Sequence, residues 1–407
     1  MTPQSIKVAG LLLLTVGFLE VLRARDRLRI EKSGLLSLAA MVGFLLTSLT
    51  SLAMWSAPAV GWKNTLLAFA YNYSFLPLFF FIAVLDFDFQ RNRWTILAEK
   101  ALYFFTLPAC FVAFASFRTG NFFLSRPVET LLTEGDFIKF DYIGGFVRGT
   151  AWFRSPVDLG MFACIILAIA WSRILFRGFS FLESGKLLIA LVGVLSTVSR
   201  TIAVMAAAIL AVLSFIKLYK IIGGSAISRP IVKNLSATFA LIVAGGIAAQ
   251  GYLLTSHWMS VATDTTNLQN RFRNWWDLLL QVFESATTAF FGVGKIQNGR
   301  YGPWHTLEVD NTYIGILLTG GLVSFFAFFA ATYFTARMIR QDIKEFSRPS
   351  LLGDADAIAY ACLAYLLAMG LASMAENNMR IAYYAAAVLI LFRAATRSKN
   401  RAISTHE

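Results

Sequence analysis

Residues 187–218 read LLIALVGVLSTVSRTIAVMAAAILAVLSFIKL, and Arg200 is the one charge before Lys217. The stretch is either one long tilted helix, with Arg200 inside the membrane, or two short apolar helices turning at Ser199-Arg200-Thr201. The choice sets the orientation of everything after it. Lys and Arg gather on the inner side of membrane proteins. With the turn, 23 of the 36 basic residues share one side; with a single crossing the split is 16 against 19. The hairpin is therefore the expected reading, with the N-terminus outside and the C-terminus in the cytoplasm.

The rest of the chain has the same character. Its 407 residues are 57% apolar and 14% charged, with a mean hydropathy of +0.64, whereas a soluble domain carries about 25% charge. This composition excludes a secreted, nuclear or cytosolic globular enzyme. It implies an all-α polytopic protein, a single transmembrane domain over 1–407. Apolar runs at 6–22, 34–54, 65–85, 96–116, 156–176, 187–199, 201–218, 234–254, 311–336, 356–375 and 381–396 give about eleven spans, ten to twelve at the limits. The first run is short and ends in Glu20 and a basic stretch from Arg23 to Arg29, so it either spans or lies in the interface; without a small-residue cleavage site it is not expected to be a removed signal peptide. The net charge of +13 sits mainly in short loops, which is the positive-inside bias and not a nucleic-acid surface. Cys110, Cys164 and Cys362 lie in apolar runs without CxxC spacing, and the three histidines are scattered, so no disulfide framework or metal site is expected.

Two outer segments are too long for turns, 117–155 and 255–310, and long loops in compact folds are usually functional or disordered. Neither has a disordered composition. The first is aromatic, with Phe122, Phe123, Phe137, Phe140, Tyr142, Phe146, Trp152 and Phe153. The second contains an amphipathic helix starting near Asn270, in which Phe272, Trp275, Trp276, Leu279, Val282 and Phe283 recur at helical spacing. That pattern suits a helix lying on the outer membrane surface.

The outer side is rich in arginine, whose planar fork suits phosphate oxygens. Arg200 stands out, because an arginine at depth costs at least ~2.5–3.5 kcal/mol and so needs a partner or a polar cavity. Arg273 lies four residues before Asp277, the spacing of an ordinary ion pair, whereas Arg271 lies on a different edge, one turn before Trp275. The loop ends with His305, Glu308, Asp310 and Asn311 just before an apolar run. The first three are able to take a proton from a sugar hydroxyl, and Asp310 or Asn311 equally suits a helix N-cap. Gly292-Val293-Gly294 is read as a turn signal only, since no strand precedes it and no GxxxxGK follows.

Three blocks resemble the bacterial O-antigen polymerase and ligase superfamily of membrane glycosyltransferases. They are Arg148-Gly-Thr-Ala-Trp-Phe-Arg-Ser-Pro-Val-Asp-Leu-Gly160; Ser199-Arg200-Thr201; and Arg271-Phe-Arg-Asn-Trp275 followed by Phe291-Gly-Val-Gly294, Asp310-Asn-Thr-Tyr-Ile314 and Gly320-Gly-Leu322. The resemblance covers roughly residues 140 to 325. It implies a GT-C-like fold in the bacterial inner membrane with its active site facing the periplasm. It also implies inverting, metal-independent and cofactor-free transfer of undecaprenyl-diphosphate-linked glycans, building O-antigen, capsule or exopolysaccharide. The implied partners are lipid-linked donor and acceptor, membrane lipids, a chain-length regulator and a flippase. Ligases usually carry a His-Asn pair where this chain has Asp310-Asn311, so the resemblance favours a polymerase; His305 keeps ligase open as the alternative. The implied roles are Asp310 or His305 as base, with Arg200, Arg271, Arg148, Arg273, Asn311 and Trp275 binding diphosphate and substrate. The rival class is a lipid-linked oligosaccharide flippase. Transporters place charges at midplane in broken helices, often with repeats, and the sequence shows neither repeats nor several midplane carboxylates.

Overall fold

The structure, a computed structural model, describes residues 32–63, 65, 66, 69, 92–121, 142, 143, 146–153, 155–223, 266–294, 311–346 and 354–372. These residues are mostly helical: α1 (Lys32–Trp55), α2 (Ala57–Val60), α3 (Asn92–Thr119), α4 (Pro156–Arg177), α5 (Phe181–Ser196), α6 (Arg200–Gly223), α7 (Thr266–Val282), α8 (Ala286–Phe291), α9 (Thr312–Phe346) and α10 (Asp354–Ala372). A two-residue ladder departs from the all-helical expectation. In it β1 (Tyr142–Ile143) pairs antiparallel with β2 (Phe146–Val147).

Five stretches within these helices are long and apolar enough to cross a membrane: Ser33–Trp55, Glu99–Thr119, Pro156–Arg177, Thr201–Leu218 and Thr312–Met338. They coincide with five of the expected runs. α5 overlaps the run expected at 187–199 as far as Ser196, and α10 overlaps that expected at 356–375 as far as Ala372. The runs at 6–22, 234–254 and 381–396, and all but three residues of 65–85, lie outside the described residues.

The chain divides into two compact units. One, residues 93–268 with 346–372, is built around α4. Ser155 caps this helix by accepting from the Asp158 amide, and Pro156 opens it, as a helix start favours. Every residue from Ala163 to Arg173 is buried, the condition of a helix apolar on all sides. Cross-helix contacts fix the directions of its neighbours. Tyr365 donates to the Met161 carbonyl at 3.4 Å and Ser172 to that of Ala357, so α10 runs antiparallel to α4. Trp171 Nε1 donates to Ser214 Oγ at 3.2 Å while Gly160 abuts Ile202, so α6 runs parallel to α4. Glu99 meets Arg173 at one end of α3 and Ala113 meets Gly149 at the other, which makes α3 antiparallel to α4. α5 follows α3 in parallel, with Lys186 Nζ 4.2 Å from the centre of the Tyr103 ring and Gly193 against Cys110.

The four helices α3 to α6 therefore alternate in direction, and the expected hairpin is present. Its turn lies at Thr197–Ser199, two residues before the expected position. Val198 adopts φ +47° and ends α5 by donating to Leu195, a left-handed stop usually given to glycine.

The other unit contains α1, α7 to α9 and the loop between α8 and α9. α1 runs antiparallel to the second part of α9: Ser37 bonds Thr335 at 2.9 Å, Phe44 packs on Phe328, and Thr47 bonds Ser324 at 2.6 Å. α9 is not straight. Gly321 takes φ 65° and ψ −164° inside it, and the Tyr313 ring stacks on Phe329 with centroids 5.4 Å apart. A straight helix would hold these two positions about 24 Å apart, so the arm 312–320 is folded back along the part that follows Gly321. The run expected at 311–336 is thus a candidate span by length and composition, but its helix is broken at Gly321, a break that two glycines inside an apolar run leave unmarked in hydropathy.

Candidate functional site

In the α4-centred unit, the β1–β2 ladder ends at Val147 and hands the chain to Arg148, which is 9% exposed. The Arg148 Nε donates to the Thr197 carbonyl at 3.0 Å, and the Gly149 amide donates to that of Ser196 at 2.9 Å. A Cβ on Gly149 would lie 2.5 Å from the Ala113 carbonyl oxygen, so only glycine lets the segment come this close. Residues 148 and 149 are thus laid across the end of α5. Ser199 closes the turn and accepts from the Ile202 amide at 3.4 Å. Arg200 is placed through its backbone as the first residue of α6, directly after buried Ser196, Thr197 and Ser199. Two sequence blocks about fifty residues apart are therefore one local structure.

That structure is strained. Ala151, at φ +50°, and Val198, at φ +47°, are the two non-glycine residues with positive φ among the described residues. Both belong to it. A residue held this way costs of order 1–3 kcal/mol and persists only where its surroundings over-determine it, often at functional sites.

In the other unit, α7 begins at Thr266, four residues before the expected start. Its apolar stripe is split in two. Trp275, Leu278, Leu279 and Val282 pack on Ile314, Leu317 and Leu318 of the folded-back arm, while Phe272, Trp276, Leu280 and Phe283 are exposed. Only the second arc is available to a membrane surface, which narrows the expected interfacial face. Arg271 is placed through its backbone, in the second turn of α7. Arg273 and Asp277 lie on the exposed polar arc, where an ion pair contributes little.

Asn311 is 8% exposed and caps the arm, its side-chain oxygen accepting from the amides of Tyr313 at 2.9 Å and Ile314 at 3.2 Å. The expected N-cap is therefore Asn311. His305, Glu308 and Asp310 lie outside the described residues. Each unit thus brings together part of the candidate set: Arg148 with the turn before Arg200, and Trp275 of α7 with the arm that Asn311 opens.

Two features were missed at the level of sequence. The Gly292-Val293-Gly294 segment is more than a turn. Val293 donates to the Leu318 carbonyl at 2.9 Å, Gly292 lies too close to Gly320 and Gly321 for any Cβ, and Ser56 donates to the Gly294 carbonyl. This segment fills the break in α9. The second is an ion cluster at the opposite end of α3, α4 and α5 from Arg148. Arg173 meets Glu99 through both guanidinium nitrogens and Tyr103 at 3.1 Å, with Glu183 at 3.6 Å and Lys186 at 2.8 Å from Glu183. Counting charges by loop does not reveal this pairing, which spans three helices. No metal-ligating cluster of His, Cys, Asp and Glu occurs among the described residues. No protein-family model matches the chain, and no curated protein matches it in sequence.

Proposed function

We propose that the chain is a GT-C-like membrane glycosyltransferase. It joins undecaprenyl-diphosphate-linked oligosaccharide repeat units at the periplasmic face of the bacterial inner membrane. The observation that carries this reading is the strained segment in which Arg148 is bonded to the turn that leads into Arg200. Two of the three resembling blocks meet there, beside polar side chains buried at the end of apolar helices. Arg148 acts as a positioning residue, since its Nε is committed to the Thr197 carbonyl. Arg200 and Arg271 stabilise charge on the leaving diphosphate, the electrostatic role of an oxyanion hole. Asp310 or His305 takes the proton of the acceptor hydroxyl as its oxygen bonds to the anomeric carbon. The anomeric carbon–oxygen bond to the lipid diphosphate breaks on the opposite face, and the diphosphate leaves with the electron pair.

A reconstituted reaction tests this. Purified protein is given a lipid-diphosphate-linked repeat unit from its host, without nucleotide or added metal, and products are read as a mass ladder. A ladder of added repeats supports the polymerase. A single transfer to supplied lipid A core would assign the ligase instead. The broken α9 favours one reading of another class, lipid-linked oligosaccharide transport, since broken helices recur at transporter sites. No transfer, together with protein-dependent movement of the lipid between leaflets, would establish that reading.

A further inference from the structure

We propose that residues 312–320 are a re-entrant arm that does not cross the membrane, and that it holds the Asn311 end about 13 Å below the Gly321 turn, within the apolar layer. The length supports this division. Nine residues rise about 13 Å and cannot cross a hydrocarbon core of about 30 Å, whereas residues 322–346 rise about 37 Å and can. The basic residues Arg337, Arg340 and Lys344 cluster at the far end of that second part, as the inner end of a span requires.

Non-helical backbone at membrane depth is tolerated only where the protein satisfies it, and the break at Gly321 meets that condition. Val293 donates to the Leu318 backbone carbonyl beside the break, and side-chain bonds from Thr47 and Ser48 to Ser324 pin the helix just after it. The start of the arm is equally self-contained. Asn311 satisfies two of its amides, and Thr312 is 1% exposed. Apolar cover completes the arm, from Leu278 and Val282 on one side and the Phe325 and Phe329 rings at Tyr313 on the other.

The consequence for the ligand rests on the reading proposed above and on the substrate-binding role that the resemblance implies for Asn311, whose amide nitrogen is the group left for a ligand once its oxygen caps the arm. A polar group that reaches Asn311 is met at the depth of Phe329, well below the turn. This selects a lipid-borne substrate whose head group is drawn into the protein over a soluble sugar.

The test uses the full chain in membranes. A Tyr313→Cys, Phe329→Cys double variant is treated with a short membrane-permeant bis-maleimide, which adds one cysteine thiol at each end, and a bridged peptide is sought by mass spectrometry. Val204→Cys with Lys220→Cys, at the same spacing in α6, is the straight-helix control. Bridging of the first pair but not the second is expected; equal absence from both would overturn the folded-back arm. Tyr313→Cys with Phe325→Cys repeats the test should the first variant fail to fold. A fluorophore on Tyr313→Cys, quenched by lipids brominated at graded depths, reads depth directly. Deepest quenching near the label on Phe329→Cys is expected, and quenching at the head-group level would overturn the proposal. Bridging in a protein that transfers no sugar would leave the arm standing and remove only the enzyme reading.

Discussion

The Arg148 guanidinium donates through Nε to the Thr197 carbonyl at 3.0 Å, tying the segment before α4 to the turn that separates α5 from α6. Arg148→Ala removes that donor and leaves a buried carbonyl less well satisfied. A loss of about 1–3 kcal/mol in unfolding free energy is expected. Arg148→Lys restores charge without the planar fork, so it recovers only part of the loss. Thermal unfolding in detergent, followed by tryptophan fluorescence, measures both; full stability in the alanine variant would show that the bond contributes nothing.

Ala151 gives a prediction of opposite sign to the usual one. Ala→Gly inside a helix costs roughly 1 kcal/mol, and Ala163, buried in α4, should follow that rule or exceed it. Ala151 sits at φ +50°, where glycine is the preferred residue. Ala151→Gly is expected to leave stability unchanged or raised. Paired denaturation curves decide, and equal losses at the two positions would rule out the strained backbone.

Gly321→Ala should be severe. The position combines φ 65° with close approach to Gly292 and Phe290, whereas a Cβ on Gly43 in α1 meets nothing within 4 Å. Overpacking alone costs typically 1–3 kcal/mol, and the backbone conformation adds to it. Loss of folded yield is expected for Gly321→Ala and not for Gly43→Ala, read by size-exclusion profile.

The ion cluster should tolerate loss of both partners better than loss of one. Glu99→Ala leaves buried Arg173 with only the longer contact to Glu183, which Lys186 shares, so a loss approaching the about 3–5 kcal/mol of a broken buried pair is expected. Glu99→Leu combined with Arg173→Met removes both charges and should regain much of it. A double variant no more stable than Glu99→Ala would contradict a simple pairing role.

The sequence makes some of this legible and hides the rest for physical reasons. α4 is readable because continuous apolarity and a Ser155-Pro156 start signal both survive without tertiary knowledge. The α5–α6 turn is readable from charge counting, but its register shifts because Val198, not a polar residue, takes the left-handed position. The fold of α9 at Gly321 is hidden, since glycines inside an apolar run change hydropathy little. Glu99 and Arg173 are hidden because their pairing spans two helices, and no local pattern records it. Of the candidate site, Asn311 is readable as a cap, and the meeting of Arg148 with the Thr197 turn depends on a long-range contact.

The most direct test of the proposed function is the reconstituted transfer reaction, run with wild-type protein and with Arg200→Ala at matched folded amounts. Wild type is expected to extend the lipid-diphosphate-linked repeat unit into a ladder. The variant should be slower by about 10²–10³, the loss seen when one charge-stabilising donor is removed. A folded wild-type protein that transfers nothing to either acceptor, or an Arg200→Ala protein that extends at the wild-type rate, would contradict the account.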